Sequence, residues 1–322
     1  MAEKVLIPLD GTEYAEQVIP LIKEIAAKAG MSIELVSIVN PADLDVIETA
    51  GEGELTSHDI SSTGLSGMHV SRASGGSTGM VWVTPAGSPE ELTEEESKAL
   101  DEANRLARDY LYRIQGRLAS RRIEVNSNVE FGDPDTQIVE TAIKRGATMI
   151  AMTARSKHFW ERGMLGSTAD RVIHGSPMPV LLFKPMEGLA EAVSVAPDTI
   201  VIGVDGSPQA EQGIAPAAQF AQSVQAGLAL VHVLKRDEGS RREAALKYIE
   251  ALAQTRAPGA QTHISAGAAD DEIILYADEF EHPVIALTNH GGFSVGRWFR
   301  GSTTDKVVRN AGYPVIIIPV RS

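Results

Sequence analysis

Apolar and polar positions along the chain fall into two alternating rhythms. Short, mainly apolar runs such as Val5–Leu9 and Ile33–Val39 alternate with longer stretches whose apolar residues recur every three or four positions, as in Ala15–Ala29, closed by Gly30. The first rhythm is that of a strand covered on both faces, and the second is that of an amphipathic helix. A charged helix over Pro89–Ala119 follows, then a strand at Ile123–Val129 and a helix at Asp135–Arg145, ended by Gly146. A strand at Met149–Thr153, a helix at Ser167–Ile173 and a strand at Val180–Phe183 complete the series. The order then begins again, with strands at Ile200–Val204, Ala229–Leu234, Gln261–Ser265, Val284–Thr288 and Val315–Ile318. Strands alternating with helices of this length predict an α/β protein built on doubly wound parallel sheets.

The restart is an internal repeat. KVLIPLDGT (Lys4 to Thr12) and TIVIGVDGS (Thr199 to Ser207) are both apolar runs that end in Asp-Gly and a hydroxyl residue. GSTADRVIHGSPMPVLLF (Gly166 to Phe183) lines up with GSTTDKVVRNAGYPVIII (Gly301 to Ile318), keeping Asp170 with Asp305, Pro179 with Pro314 and Val180 with Val315. The spacing of Asp10 to Asp205 exceeds that of Gly166 to Gly301 by about 60 residues, so the first copy carries an insert of that size between its second and third strands. The expected organisation is a first module over 1–185 with an insert at about 41–90, a linker over 186–197 and a second module over 198–322. The insert is dense in Gly, Ser and Thr from Thr49 to Ser88, a composition that favours a flexible excursion, with one apolar island at Met80-Val81-Trp82-Val83 suited to docking. Val180–Phe183 and Val315–Ile318 would each be bare apolar edges, so the modules, or two chains, are expected to pair through these fifth strands.

Composition narrows the setting. The chain has 322 residues, 43% of them hydrophobic, enough for two domains with their own cores. It has no cysteine, which leaves no disulfide and no thiolate metal site and suits a reducing cytoplasm. A formal charge of −14 repels nucleic acid and anionic lipid, so neither is an expected partner, and no apolar run approaches the length of a membrane span.

In doubly wound sheets ligands sit beyond the carboxyl ends of the strands, where the strand order reverses. Asp10, Asp205 and the stretch LTNHGGFSVGRWFRGSTTDKVV (Leu287 to Val308) all fall at such ends. Glycine lets backbone N–H groups approach a polyanion, and Ser302 suits the N-cap of a helix whose free N–H groups point at a phosphate. Gly291, Gly292, Gly296 and Gly301 equally suit tight turns in a surface loop, and spacing alone leaves both readings open.

Thr288-x-x-Gly291-x9-Gly301-Ser302 resembles the nucleotide-binding signature of the universal stress protein family, which reads small residue, two others, Gly, nine others, then Gly-Ser/Thr. Both copies also share the family's opening strand ending in Asp and its closing Pro-Val-apolar strand. The resemblance implies Rossmann-like, adenine nucleotide alpha hydrolase-like modules, each a five-stranded parallel sheet of order 3-2-1-4-5. It implies ATP or another adenine nucleotide, with or without Mg2+, as ligand. Asp205 and Val233 would lie around adenine and ribose, and Thr288, His290, Gly291, Gly301, Ser302 and Thr303 around ribose and phosphates. In the first copy Thr153 and Ser156 stand at the places of the signature turn, and only Asp10, Ile38, Gly166, Ser167 and Thr168 match. An occupied second module and a weakened first one are therefore expected.

Other motifs carry less. SGGST (Ser74 to Thr78) resembles the phosphate loop of adenylating enzymes but lies in the insert, not after the first strand, and no Gly-Lys pair exists to build a Walker loop. The eight histidines are scattered without metal-ligand spacing. Three function classes remain: a nucleotide-dependent stress regulator acting through assembly or partner binding, a slow ATP-hydrolysing or phosphotransfer enzyme, and a scaffold that has lost its nucleotide.

Overall fold

A computed structural model describes residues 3–41, 94–120, 123–154, 165–184, 195–235, 239–290 and 302–320. Nearly all of the insert and most of the linker lie outside these residues, as do the Met80–Val83 island and the SGGST stretch. In the first module the elements are β1 (Lys4–Pro8), α1 (Glu13–Glu16), α2 (Ile19–Ala29), β2 (Ser32–Val39), α3 (Glu94–Leu118), β3 (Val125–Phe131), α4 (Pro134–Arg145), β4 (Met149–Thr153), α5 (Ser167–Gly175) and β5 (Val180–Phe183). The second module repeats them as β6 (Thr199–Gly203), α6 (Pro208–Gln212), α7 (Ile214–Ser223), β7 (Gly227–Leu234), α8 (Gly239–Arg256), β8 (Gln261–Ala266), α9 (Ala269–Ala277), β9 (Pro283–His290), α10 (Thr303–Asn310) and β10 (Val315–Val320).

The single helix expected over Ala15–Ala29 is two, α1 and α2. Pro20 sits in the first turn of α2, where its missing N–H is harmless, whereas continuing α1 through it would leave Glu16 without a donor and crowd its carbonyl. The second copy breaks at the same place, with Gly213 between α6 and α7.

All ten strands form one sheet of order β3-β2-β1-β4-β5-β10-β9-β6-β7-β8. Each module contributes the expected order 3-2-1-4-5 in parallel, and the two meet through their fifth strands. That pairing is intramolecular and antiparallel, with Val315 opposite Leu182, Ile316 opposite Leu181 and Ile317 opposite Val180. It relates the modules by a local two-fold and uses up both apolar edges, leaving the more polar β3 and β8 at the rims of the sheet.

Strand alternation divides the core into two layers. Val5, Ile7, Ile200 and Ile202 face α2, α3, α7 and α8, whereas Leu6, Val201, Ile285 and Leu287 face α4, α5, α9 and α10. Each fully buried aliphatic side chain contributes about 1.5–3 kcal/mol, so the two-sided strands account for much of the folding drive.

One backbone position departs from its twin. Gly30 closes α2 in the left-handed region at φ 66, and the matching position after α7 holds Gln225 at φ 56, the one non-glycine residue with positive φ among those described. A side chain there costs about 1–2 kcal/mol, part of which glycine returns as extra chain entropy on unfolding. Gln225→Gly should therefore stabilise the protein by about 0.5–1 kcal/mol, seen as a raised urea midpoint at unchanged slope; an unchanged or lowered midpoint would contradict the assignment.

Candidate functional site

The chain after β6 shows why Asp-Gly-hydroxyl follows the first strand. The Val204 N–H donates to the Val231 carbonyl (2.9 Å), Asp205 follows, and Gly206 turns the chain at φ 87. Asp205 Oδ1 accepts the Ser207 N–H at 2.9 Å, and Ser207 Oγ accepts the Ala210 N–H at 3.1 Å as the cap of α6. In the first module Asp10 Oδ1 accepts both the N–H (3.0 Å) and the hydroxyl (2.6 Å) of Thr12, Gly11 has φ 83, and Thr12 Oγ1 caps α1. One oxygen of each aspartate thus closes a local turn, a use that accounts for the residue whether or not a ligand is present.

Val233 and Ile38 occupy matching places near the ends of β7 and β2, half-buried against the second core layer. β9 continues two residues beyond Thr288, to His290, because β10 pairs with it over that whole length, Pro319 opposite Asn289 and Val320 opposite His290. Thr288 is buried, and its methyl lies where a Cβ at Gly213 would collide with it. The side chain therefore packs on the α6–α7 side of the sheet, opposite to Val233, so it is the Thr288 backbone that faces the rim. The Thr304 hydroxyl donates to the Thr288 carbonyl (3.4 Å), tying α10 to the end of β9.

Ser302 is the N-cap of α10, its hydroxyl accepting the Asp305 N–H at 3.1 Å, and Thr303 is the first helical residue. In the first module the register moves by one: Gly166 is the N-cap, without a side-chain hydrogen bond, and Ser167 and Thr168 begin α5. Gly291, Gly301 and Ser156 lie outside the described residues, as does the side chain of His290. Asp10, Ile38 and Thr168 converge on one cavity of about 110 Å³, walled by Met152, Thr153 and Ile138. Gly166 and Ser167 do not line it.

Charge around the two helix starts is balanced locally. Asp305 is buried and pairs with Arg309 at 2.7 Å. Asp170, its twin, lies 3.8 Å from His174 Nδ1; burial pushes its carboxyl above the ordinary range, the His174 charge opposes that, and nearby Asp305 adds to it. A carboxylate in the first turn offsets part of the dipole, leaving the N–H groups and the Ser302 and Thr303 hydroxyls as the direct anion donors of α10.

A polar cluster escaped the sequence reading. Tyr248 Oη and Arg256 Nη2 both donate to Glu211 (3.0 and 2.9 Å), bracing α6 against α8, and Arg117 donates to Glu16 at 2.9 Å in the first module. Glu16 and Glu211 keep the spacing of Asp10 and Asp205, a signal the repeat offers; their partners do not, because the helices that carry them follow the insert in one module and a short loop in the other. Among the described residues no group of three His, Asp or Glu could hold a metal ion, and no helix is long and apolar enough to cross a membrane.

Comparison with known proteins gives these features a family. The model of the universal stress protein family matches residues 78–184 and 197–319, more than half of the chain. The chain belongs to the universal stress protein family. The first match omits β1 and β2, which precede the insert and which the sheet nevertheless places in the first module. A universal stress protein from Archaeoglobus fulgidus has a crystal structure that superposes with a TM-score of 0.67 at 20% identity, covering 98% of each chain. A universal stress protein of Mycobacterium tuberculosis is 24% identical over 213 residues, 62% of this chain and 70% of its own. A universal stress protein crystallised in complex with cAMP is 23% identical and covers 38% of this chain and 95% of its own, with a TM-score of 0.32.

The raised pKa of Asp170 makes stability depend on pH in a defined sense. A carboxyl whose folded pKa lies above its unfolded one contributes stability at acid pH that is lost as pH rises through the folded pKa. Asp170→Asn removes that loss, so the melting temperature of the variant relative to the parent should climb between about pH 4 and pH 7. A flat or falling difference would show that His174 and Arg309 fully compensate the burial.

Proposed function

We propose that this universal stress protein binds an adenine nucleotide, chiefly in its second module, and that occupancy acts by altering assembly or a partner surface. The observation that carries the reading is that the Asp205 turn after β6, Val233 near the end of β7 and the Ser302-capped start of α10 all lie on the carboxyl-end side of the parallel strands. β6 has β9 on one side and β7 on the other, so the point of reversal of strand order falls between β6 and β9, where doubly wound sheets take ligands. Asp205 and Val233 would hold base and ribose; the Thr288 backbone, His290, Gly291, Gly301, Ser302 and Thr303 would hold ribose and phosphates. In the first module the cavity at Asp10, Ile38 and Thr168 supports a smaller, weaker site, since Ser156 replaces the glycine that Gly291 supplies to the signature in the second.

Calorimetry with ATP, AMP and cAMP tests this directly. Gly291→Val, which puts a branched Cβ where backbone must approach phosphate, should weaken ATP binding at least tenfold, about 1.4 kcal/mol, while Ser156→Val changes little. Equal losses from the two would remove the proposed asymmetry. For a ligand that stabilises without turnover, ATP and a non-hydrolysable analogue should raise the melting temperature alike, by about 2.7 kcal/mol of stability at a hundredfold excess over Kd. Phosphate release at the roughly 1–100 s⁻¹ of kinases, lost in Asp205→Ala with binding retained, would instead make the protein an enzyme.

A further inference from the structure

A second cavity lies away from both signature regions, where the modules meet. It holds about 350 Å³, within the roughly 300–1,000 Å³ of small-molecule pockets and far larger than the voids of a well-packed core. Its floor is the sheet across the module boundary, with Ile200, Ala286, Ile316 and Ile318, and one wall is α7, through Ala217 and Phe220. Glu3 and Gln219, one from each module, stand in its lining and share an exposed hydrogen bond of 3.2 Å.

The repeat accounts for part of this space. Ala217 occupies the position that Ile22 holds in α2, and Ile22 is completely buried. The second copy therefore lacks, on the helix face toward the seam, a branched side chain that the first copy has. The charge of the lining is equally specific. Glu3 is its one charged side chain among the described residues. Lys4, the neighbouring cation, is committed elsewhere, its ammonium donating to the Arg145 carbonyl (2.9 Å) and lying 3.7 Å from Glu34. Thr148 is likewise engaged, its hydroxyl donating to the Lys4 carbonyl. Among the described residues the mouth holds a carboxylate, an amide and no cation left without a partner, so it disfavours phosphates and carboxylates and favours a cationic head.

We propose that this inter-module cavity is a binding site for a small amphipathic amine, with its hydrocarbon body over Ile316, Ile318 and Phe220 and its ammonium at Glu3. The inference does not rest on nucleotide binding, because none of the residues of the proposed nucleotide site lines this cavity. Each buried methylene adds about 0.8 kcal/mol, close to fourfold in affinity, and the partly exposed ion pair adds at most a few-fold.

The test is calorimetry on the full chain with n-hexylamine, n-octylamine, 1-octanol and octanoate, with melting temperatures followed in parallel. Octylamine should bind one per chain, about tenfold or more tighter than hexylamine, and octanoate should bind several-fold more weakly than octylamine. Ala217→Ile should abolish octylamine binding while leaving the melting temperature equal or higher, since it fills space that is empty. Glu3→Gln should bring octylamine and octanol to equal affinity. Octylamine binding undiminished in Ala217→Ile, octanoate binding as well as the amine, or a lowered melting temperature in Ala217→Ile would each overturn the proposal.

Discussion

The antiparallel pairing of β5 with β10 governs the rest of the molecule. Each module alone presents a fifth strand whose described side chains are almost all buried in the assembled sheet, so neither edge could stay in water without inviting association. Joining them inside one chain fixes the local two-fold, and the two-fold makes the strands of one module run against those of the other. The carboxyl ends of the two parallel sets consequently lie on opposite edges of the ten-stranded sheet, keeping the Asp10 and Asp205 turns far apart. The cavity against Ile316 and Ile318 is a product of the same seam, since it exists only where the face of one module continues into the other.

Within that frame the two copies have diverged by different physical routes. In the first module the change falls in the signature stretch, where Ser156 stands in place of Gly291. In the second it falls on packing and conformation, with Ala217 for Ile22 and a left-handed Gln225 for Gly30. Neither change disturbs strand order, because that order is set by alternating side chains facing two helical layers, and those layers are intact in both modules.

Much of this was legible in the sequence for a definite reason. Buried parallel strands give continuous apolar runs, their helices give a clear period, and the duplication shows every signal twice, so element order could be stated from residues alone, the apolar fifth strands suggested their own pairing, and the sheet order followed from the family resemblance. The N-cap at Ser302 was also legible, as a hydroxyl before a helical run. What was not legible depends on which face a side chain takes. The sequence places Thr288 in the signature but not its side chain, whose methyl the pleat packs against Gly213, on the side away from Val233. The break between α1 and α2 needed the weight of Pro20 against an otherwise continuous amphipathic pattern, and the inter-module cavity needed two surfaces that no linear pattern joins.

The aspartate turns show how far a motif can carry function. Asp10 and Asp205 make the same local bonds, one carboxylate oxygen to the backbone N–H two residues on, with a left-handed glycine between. The turn alone therefore explains Asp-Gly-Thr and Asp-Gly-Ser, and the aspartate does not by itself mark an occupied module. Under the proposed reading, discrimination between the modules would come from the residues after the fourth strand and the helix that follows them. There the copies differ both in residue, Gly291 against Ser156, and in capping, a serine hydroxyl on α10 against a bare Gly166 on α5. A phosphate is held by N–H groups it can reach, so under the proposed reading the residues after the fourth strand, and not the shared aspartate, would decide which module holds one.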